Sequence, residues 1–125
     1  MAIVVPSYLV NRAVLMPMAD GNMLTVAPGE TITSDIADFS SSLIGSFQVY
    51  WVGADTVDSM FEIFVSNYTD PLTFGKYPDS KVAMDADCSS LLWNVNVLGF
   101  RYGFVRYYRS LTLTAGKMEI IALGK

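Results

Sequence analysis

Residues 93–125 read WNVNVLGFRYGFVRYYRSLTLTAGKMEIIALGK, three strand-like runs parted by short Gly or Ser breaks. Side chains along a strand point alternately to opposite faces, so Trp93, Val95 and Val97 share one side and Asn94 and Asn96 the other. That alternation predicts a half-buried strand. In the next run Phe104, Arg106 and Tyr108 share a side, as do Val105, Tyr107 and Arg109. Both faces there carry polar tips on apolar bodies, which must reach water or a partner.

The same period recurs upstream, and no window of helical length spaces its apolar residues by threes and fours. Short strands are predicted at 13–16 and 23–26, on either side of the turn signal Ala19-Asp20-Gly21-Asn22, and at 31–36 after the Pro28-Gly29 turn. In 45–53, Phe47, Val49 and Trp51 form one face and Gln48, Tyr50 and Val52 the other, on residue types that suit a pleated surface. Residues 60–66 follow with Phe61, Ile63 and Val65 on one side, which suggests a hairpin with 45–53. The pattern fades across 67–90, except for a short strand at 81–84, and returns at 91–98, 100–108 and 117–123. Gly103, inside a strand pattern, suggests a bulge. The expectation is an all-β chain: a single antiparallel β-sandwich, jelly-roll-like, of about eight strands.

A chain of 125 residues and 13.7 kDa is one domain long. At that mass a monomer exposes roughly 6,600 Å² folded and roughly 19,900 Å² unfolded, enough burial for a real core. Charged residues make up 16% and apolar ones 52%, with mean hydropathy +0.38. Ordinary soluble domains carry about 25% charged residues, so part of this surface is expected to lie against other subunits. The net charge of −4 is unevenly spread. Arg101, Arg106, Arg109, Lys117 and Lys125 against Glu119 leave the last 25 residues at +4, and the first 100 at −8. Opposite charges in different parts of the chain imply pairing across strands, within or between subunits.

Several function classes lose their equipment at this stage. The chain has no histidine, which removes the commonest general base and metal ligand and with them the Ser-His-Asp and Cys-His arrangements. Cys88 is the one cysteine, so no internal disulfide forms and no imidazole activates the thiol. Asp79, Asp85 and Asp87 carry hard oxygen ligands suited to Ca²⁺, but the Asp-x-Asp spacing reads as a solvated turn, and neither metal nor cofactor is expected. RYGFVRYYR interleaves cations and rings as a nucleic-acid platform does, yet the acidic remainder repels phosphate, so no nucleic acid is expected. The longest uncharged run, 39–54, is broken by serines and glycines and is shorter than the ~20 residues of a membrane span. The opening MAIVVPSYLVNRAVLMPMADGN has no basic residue ahead of its apolar part and reads poorly as a signal peptide.

From residue 45 onward the order GSFQVYWVGADTVDSMFEIFVSN, a long loop, LLWNV and then RYGFVRYYRSLTLTAGKMEIIALGK resembles the small β-sandwich accessory proteins of tailed-bacteriophage virions. The positions that carry the resemblance are Gln48, Ser66-Asn67, the Tyr102 to Arg106 strand, Gly116 and Lys125. It implies a non-enzymatic structural component of the capsid-decoration, head-fibre or spike type. Such a protein is made in the host cytoplasm, resides in the virion, forms a dimer or trimer, and docks on other virion proteins such as the major capsid protein.

Residues 1–11 lie outside the resemblance and suit an extended docking arm, with Ile3, Val4 and Val5 adding a strand to another subunit. Arg101, Arg106 and Arg109 are the other expected interface residues. The alternative is a carbohydrate- or other ligand-binding sandwich using Tyr68 and Tyr77. Trp51 and Trp93 fall on faces expected to pack in the core.

Overall fold

The computed structural model describes residues 3–6 and 12–125. Its strands are β1 (Val4–Pro6), β2 (Arg12–Met16), β3 (Thr31–Thr33), β4 (Ile36–Asp38), β5 (Gly45–Val52), β6 (Met60–Ser66), β7 (Gly75–Lys76), β8 (Val82–Ala83), β9 (Ser90–Val95), β10 (Tyr102–Tyr108) and β11 (Lys117–Gly124). Sheet one runs β1-β4-β10-β6-β7, with β3 also on β10 and β8 also on β6; sheet two runs β2-β11-β5-β9. The two stack face to face as an all-β sandwich. All pairings are antiparallel except β1 on β4, where Val4 lies beside Ile36. The extra strands beyond the expected eight are pieces of two or three residues, which periodicity alone cannot resolve.

Alternation decides what is buried. Phe47, Val49 and Trp51 of β5 and Met118, Ile120 and Ala122 of β11 face Phe61 and Ile63 of β6 and Val105 and Tyr107 of β10. Each such large side chain contributes about 1.5–3 kcal/mol by leaving water. Trp51 stacks on Phe61 with ring centroids 6.1 Å apart. Trp93 packs at the margin of the core and donates its indole N–H to the Ser80 carbonyl at 2.8 Å. Both tryptophans therefore pack as their strand faces suggested.

The Trp51–Phe61 stack also corrects the hairpin expected between 45–53 and 60–66. β5 and β6 belong to opposite sheets, and the connection 53–59, opened by Gly53 at φ 71, crosses from one to the other. β5 instead pairs with β11 on one side and β9 on the other. Both strands needed an apolar face toward the same core, and stacking serves that as well as pairing does.

Gly103 makes no bulge. It sits in regular register between Ala37 and Val65, and a Cβ on it would stand 2.8 Å from the Phe47 ring. Its lack of a side chain lets a ring from the opposite sheet reach the β10 backbone. The register shift lies instead at Ile120/Ile121, where β11 meets β2.

Two further expectations change. The strand at 23–26 is a 3-10 turn at Asn22–Leu24, because Asn22 is turned inward, donating to Met118 O at 2.7 Å and accepting from Met118 N–H at 2.7 Å. The run 31–36 splits at Ser34, whose hydroxyl accepts from Val105 N–H while its own N–H donates to Val105 O.

Part of the expected docking arm, with Ile3, Val4 and Val5, is described. Val4–Pro6 completes this chain's own sheet one on the edge of β4, anchored by Ile3 N–H on Asp35 Oδ1 at 3.1 Å and Ile36 N–H on Ile3 O. β4 is buried along its length and offered an open edge nearby. The rest of the expected arm, 1–2 and 7–11, lies outside the described residues.

Candidate functional site

The strand registers bring three connections to one end of the sandwich. Tyr102 pairs with both Asp38 and Ser66, which places loops 39–44, 67–74 and 96–101 side by side. Phe39 N–H donates to Arg101 O and Arg101 N–H to Ser66 O, closing the loop bases together. Lys125 joins them, since Lys125 O accepts from Leu43 and Ile44 and Lys125 N–H donates to Ile44 O. At the tips stand Leu43, Ile44 and Leu98, exposed by 76%, 63% and 77%. Leu43 and Leu98 line one open hollow of about 480 Å³ with Asn67 and Arg101. Ile44 lines a second of about 270 Å³ with Asn94, Leu123 and Lys125.

This is an unusual use of large aliphatic residues. The loop backbones are fixed by short polar bonds, Ser40 N–H to Asp38 Oδ1 at 2.9 Å and Leu98 N–H to Asn96 Oδ1 at 3.1 Å, so the tips are held outward rather than folded back. Arg101 supplies a cationic rim, with Nε 3.4 Å from Asp38 and its guanidinium over the Tyr102 ring at 4.9 Å. Burial pushes the Asp38 carboxyl up, but hydrogen bonds from Ser40 and Arg101 outweigh it and hold its pKa below the ordinary value. Leu43 and Ile44 lie in an uncharged run and Leu98 at the end of an expected strand, so periodicity does not single them out. The available signal was an aliphatic pair between Ser42 and Gly45, turn-forming neighbours that leave no strand to bury it.

Of the expected interface residues, the structure brings Arg101 to this end and takes the other two arginines for internal duty. Arg106 lies directly opposite Glu62 across β10 and β6, 3.2 Å from its carboxylate, with its guanidinium 4.4 Å from the Phe64 ring centroid. Arg109 donates to the carbonyls of Leu113 and Val26, each at 2.9 Å. Arg12–Glu119 and Lys117–Asp20 are further ion pairs within the chain.

Tyr68, at 68% exposure, stands at the apolar end, whereas Tyr77 is engaged: its hydroxyl accepts from Asn96 N–H at 2.9 Å and its ring meets Phe100 edge-on. Tyr77 lines a hollow of about 390 Å³ with Val65, Pro78 and Phe100 that Tyr68 does not reach. Asp85 accepts from Asp87 N–H at 2.8 Å as a turn, and among the described residues no three acids or thiols gather as a metal site.

On the outer face of sheet one a hollow of about 290 Å³ is lined by Met60, Glu62, Lys81, Arg106 and Tyr108. Glu62 and Arg106 neutralise each other at its wall. The two other displaced pKa values belong to fastening groups. The Thr114 hydroxyl and the Thr114 and Ala115 N–H groups lower that of Asp55, and burial raises that of Tyr107, whose hydroxyl donates to Met23 O at 3.0 Å. Among the described residues no helix is long and apolar enough to cross a membrane.

No protein-family model matches the chain, and no curated protein does. Among solved structures, one that it is similar to is Aeromonas hydrophila PliG, a periplasmic lysozyme inhibitor of g-type lysozyme. The identity is 11% and the TM-score 0.47, over 99% of this chain and 97% of that one.

Proposed function

We propose that this chain is a non-enzymatic docking protein, of the accessory virion type that residues 45–125 resemble. It attaches to another protein of the particle through the end that carries Leu43, Ile44 and Leu98. The observation behind this reading is that two loops hold large aliphatic side chains outward at one end of the sandwich, Leu43 and Leu98 on one hollow and Ile44 on the other. Exposed apolar side chains gathered beside one another mark a surface that is covered in use. Lys125 stands at the rim and Arg101 is held there by Asp38, so the partner face is expected to be apolar at its centre and polar around it.

The ionisable groups support fastening rather than reaction. Asp38 and Asp55 are held below their ordinary pKa, so each stays an acceptor-only carboxylate, and proton transfer at neutral pH asks for the opposite displacement.

Cross-linking mass spectrometry on purified particles carrying the chain tests the reading. Cross-links from Lys125 to a capsid, fibre or tail protein are expected, and they disappear in the Leu43→Ser/Ile44→Ser/Leu98→Ser variant. A chain missing from purified particles, or cross-links unchanged by that variant, would refute it.

Carbohydrate binding is the second reading, favoured by the exposed Tyr68 ring alone. Glycan-array binding that is lost on Tyr68→Ala would put it first.

A further inference from the structure

β9 is the outermost strand of sheet two, hydrogen-bonded to β5 on one side only. The Trp51 N–H bond to Ser89 O fixes the phase of that ladder. Hydrogen-bonded pairs alternate in an antiparallel ladder, so Leu91, Trp93 and Val95 turn their N–H and C=O groups toward β5. Ser90, Leu92 and Asn94 turn theirs outward. The next outward N–H, that of Asn96, is capped by the Tyr77 hydroxyl at 2.9 Å. Among the described residues nothing caps the three before it.

Open edges are ordinarily guarded by charge, proline, shortness or a bulge. The other margins of this sandwich follow that rule: β1 is three residues ending in Pro6, β7 and β8 are two residues each, and β2 carries Arg12 and meets a register shift. β9 has six residues, Ser-Leu-Leu-Trp-Asn-Val, with no charge and no proline, and Leu92 at the middle of its outward set is 61% exposed.

We infer that β9 is the contact strand of a two-fold homodimer, pairing antiparallel with β9 of a second copy about an axis at Leu92. The occupant follows from self-complementarity, which any two-fold contact requires. With Leu92 opposite Leu92 of the second copy, Ser90 falls opposite Asn94 and Asn94 opposite Ser90. All three outward residues are then directly opposed in one register, giving about six main-chain hydrogen bonds at two per pair. The opposed side chains are aliphatic on aliphatic and hydroxyl on amide, and no charge meets its own image. Asp85 and Asp87, which precede β9, are carried to opposite ends of the pair. The contact joins the four-stranded sheet of each copy into one continuous sheet; Asn94 borders the Ile44 hollow, while the Leu43–Leu98 hollow lies outside the seam.

Analytical ultracentrifugation and native mass spectrometry test this on the full chain. The wild type is expected at twice 13.7 kDa, with the Leu92 and Asn94 amides protected from hydrogen exchange in a concentration-dependent way. Leu92→Lys sets like charges opposite each other on the axis and is expected to raise the dimer Kd by about 30-fold or more. Leu92→Pro deletes an N–H that β5 does not use and is expected to do the same; the far-ultraviolet circular dichroism and melting of Leu92→Lys confirm that folding is intact. A wild type that stays monomeric at high concentration overturns the inference, as does a dimer that Leu92→Lys leaves unchanged. The Leu43→Ser/Ile44→Ser/Leu98→Ser variant is expected to remain dimeric, so loss of particle docking and loss of the dimer are read separately. A dimer dissolved by that variant instead places the contact at the loop end and refutes the β9 assignment.

Discussion

The two ends of the sandwich are built from similar lengths of loop and treated in opposite ways. At one, the loop 109–116 is stitched down: Arg109 spans the Leu113 and Val26 carbonyls, Asp55 takes two backbone N–H groups and a hydroxyl, and Leu113 is wholly buried. Tyr107 adds a bond from the core to Met23 O. At the other, polar bonds hold the backbone of loops 39–44 and 96–101, with Leu43 and Ile44 on Lys125 and Leu98 on Asn96, and leave the side chains of Leu43, Ile44 and Leu98 in water. One end spends most of its side chains on holding the two sheets together, with Leu111 the large aliphatic residue of that loop left exposed. The other spends them on being met.

The sharpest way to break this contrast is Arg109→Ala. It strands several carbonyls that a charged donor now satisfies, and is expected to lower unfolding free energy by about 3 kcal/mol in a denaturant titration. A change under about 1 kcal/mol would show the stitched end to be no more than well-packed loop.

Acid comes next. Asp38 and Asp55 have folded-state pKa values below the ordinary 3.8, so the stability they contribute is complete above that value and is lost as pH falls through the folded values. Asp55→Asn is therefore expected to be less stable than wild type at pH 7 and to converge with it below about pH 3.8. Urea midpoints measured across that range check the sign, and a gap that widens in acid would contradict it.

The smallest effect belongs to the open end. Leu43→Ser/Ile44→Ser/Leu98→Ser is expected to move unfolding free energy by no more than about 0.5 kcal/mol per site, as exposed positions do, while docking is lost. A large drop in melting temperature would mean that these tips pack in solution and that the two ends are alike.

Much of the architecture was legible because a strand's two faces are written in a two-residue period. β2, β5, β6, β9, β10 and β11 lie within a few residues of their expected places, and in β5, β6 and β9 the core face is the one that alternation selects; in β10, whose two faces are both amphipathic in sequence, the fold buries Val105 and Tyr107. The β5–β6 hairpin was misread because proximity in sequence says nothing about whether a connection turns within a sheet or crosses between sheets. Gly103 was misread because its reason, the Phe47 ring, comes from a strand more than fifty positions away. The candidate site was mostly hidden. Arg101 and Tyr68 were named and do reach the apolar end, but Leu43, Ile44 and Leu98 carry no periodic signal, since a loop residue's exposure depends on what folds over it.

What the sequence determined by itself is the sorting of side chains into inward and outward sets, because that sorting is local geometry multiplied by transfer from water. The tertiary structure decided which strand lies beside which, which arginines are used up internally, which edge stays open, and which loops share an end. Those outcomes depend on contacts between residues far apart in the chain, and the folded core settles them together.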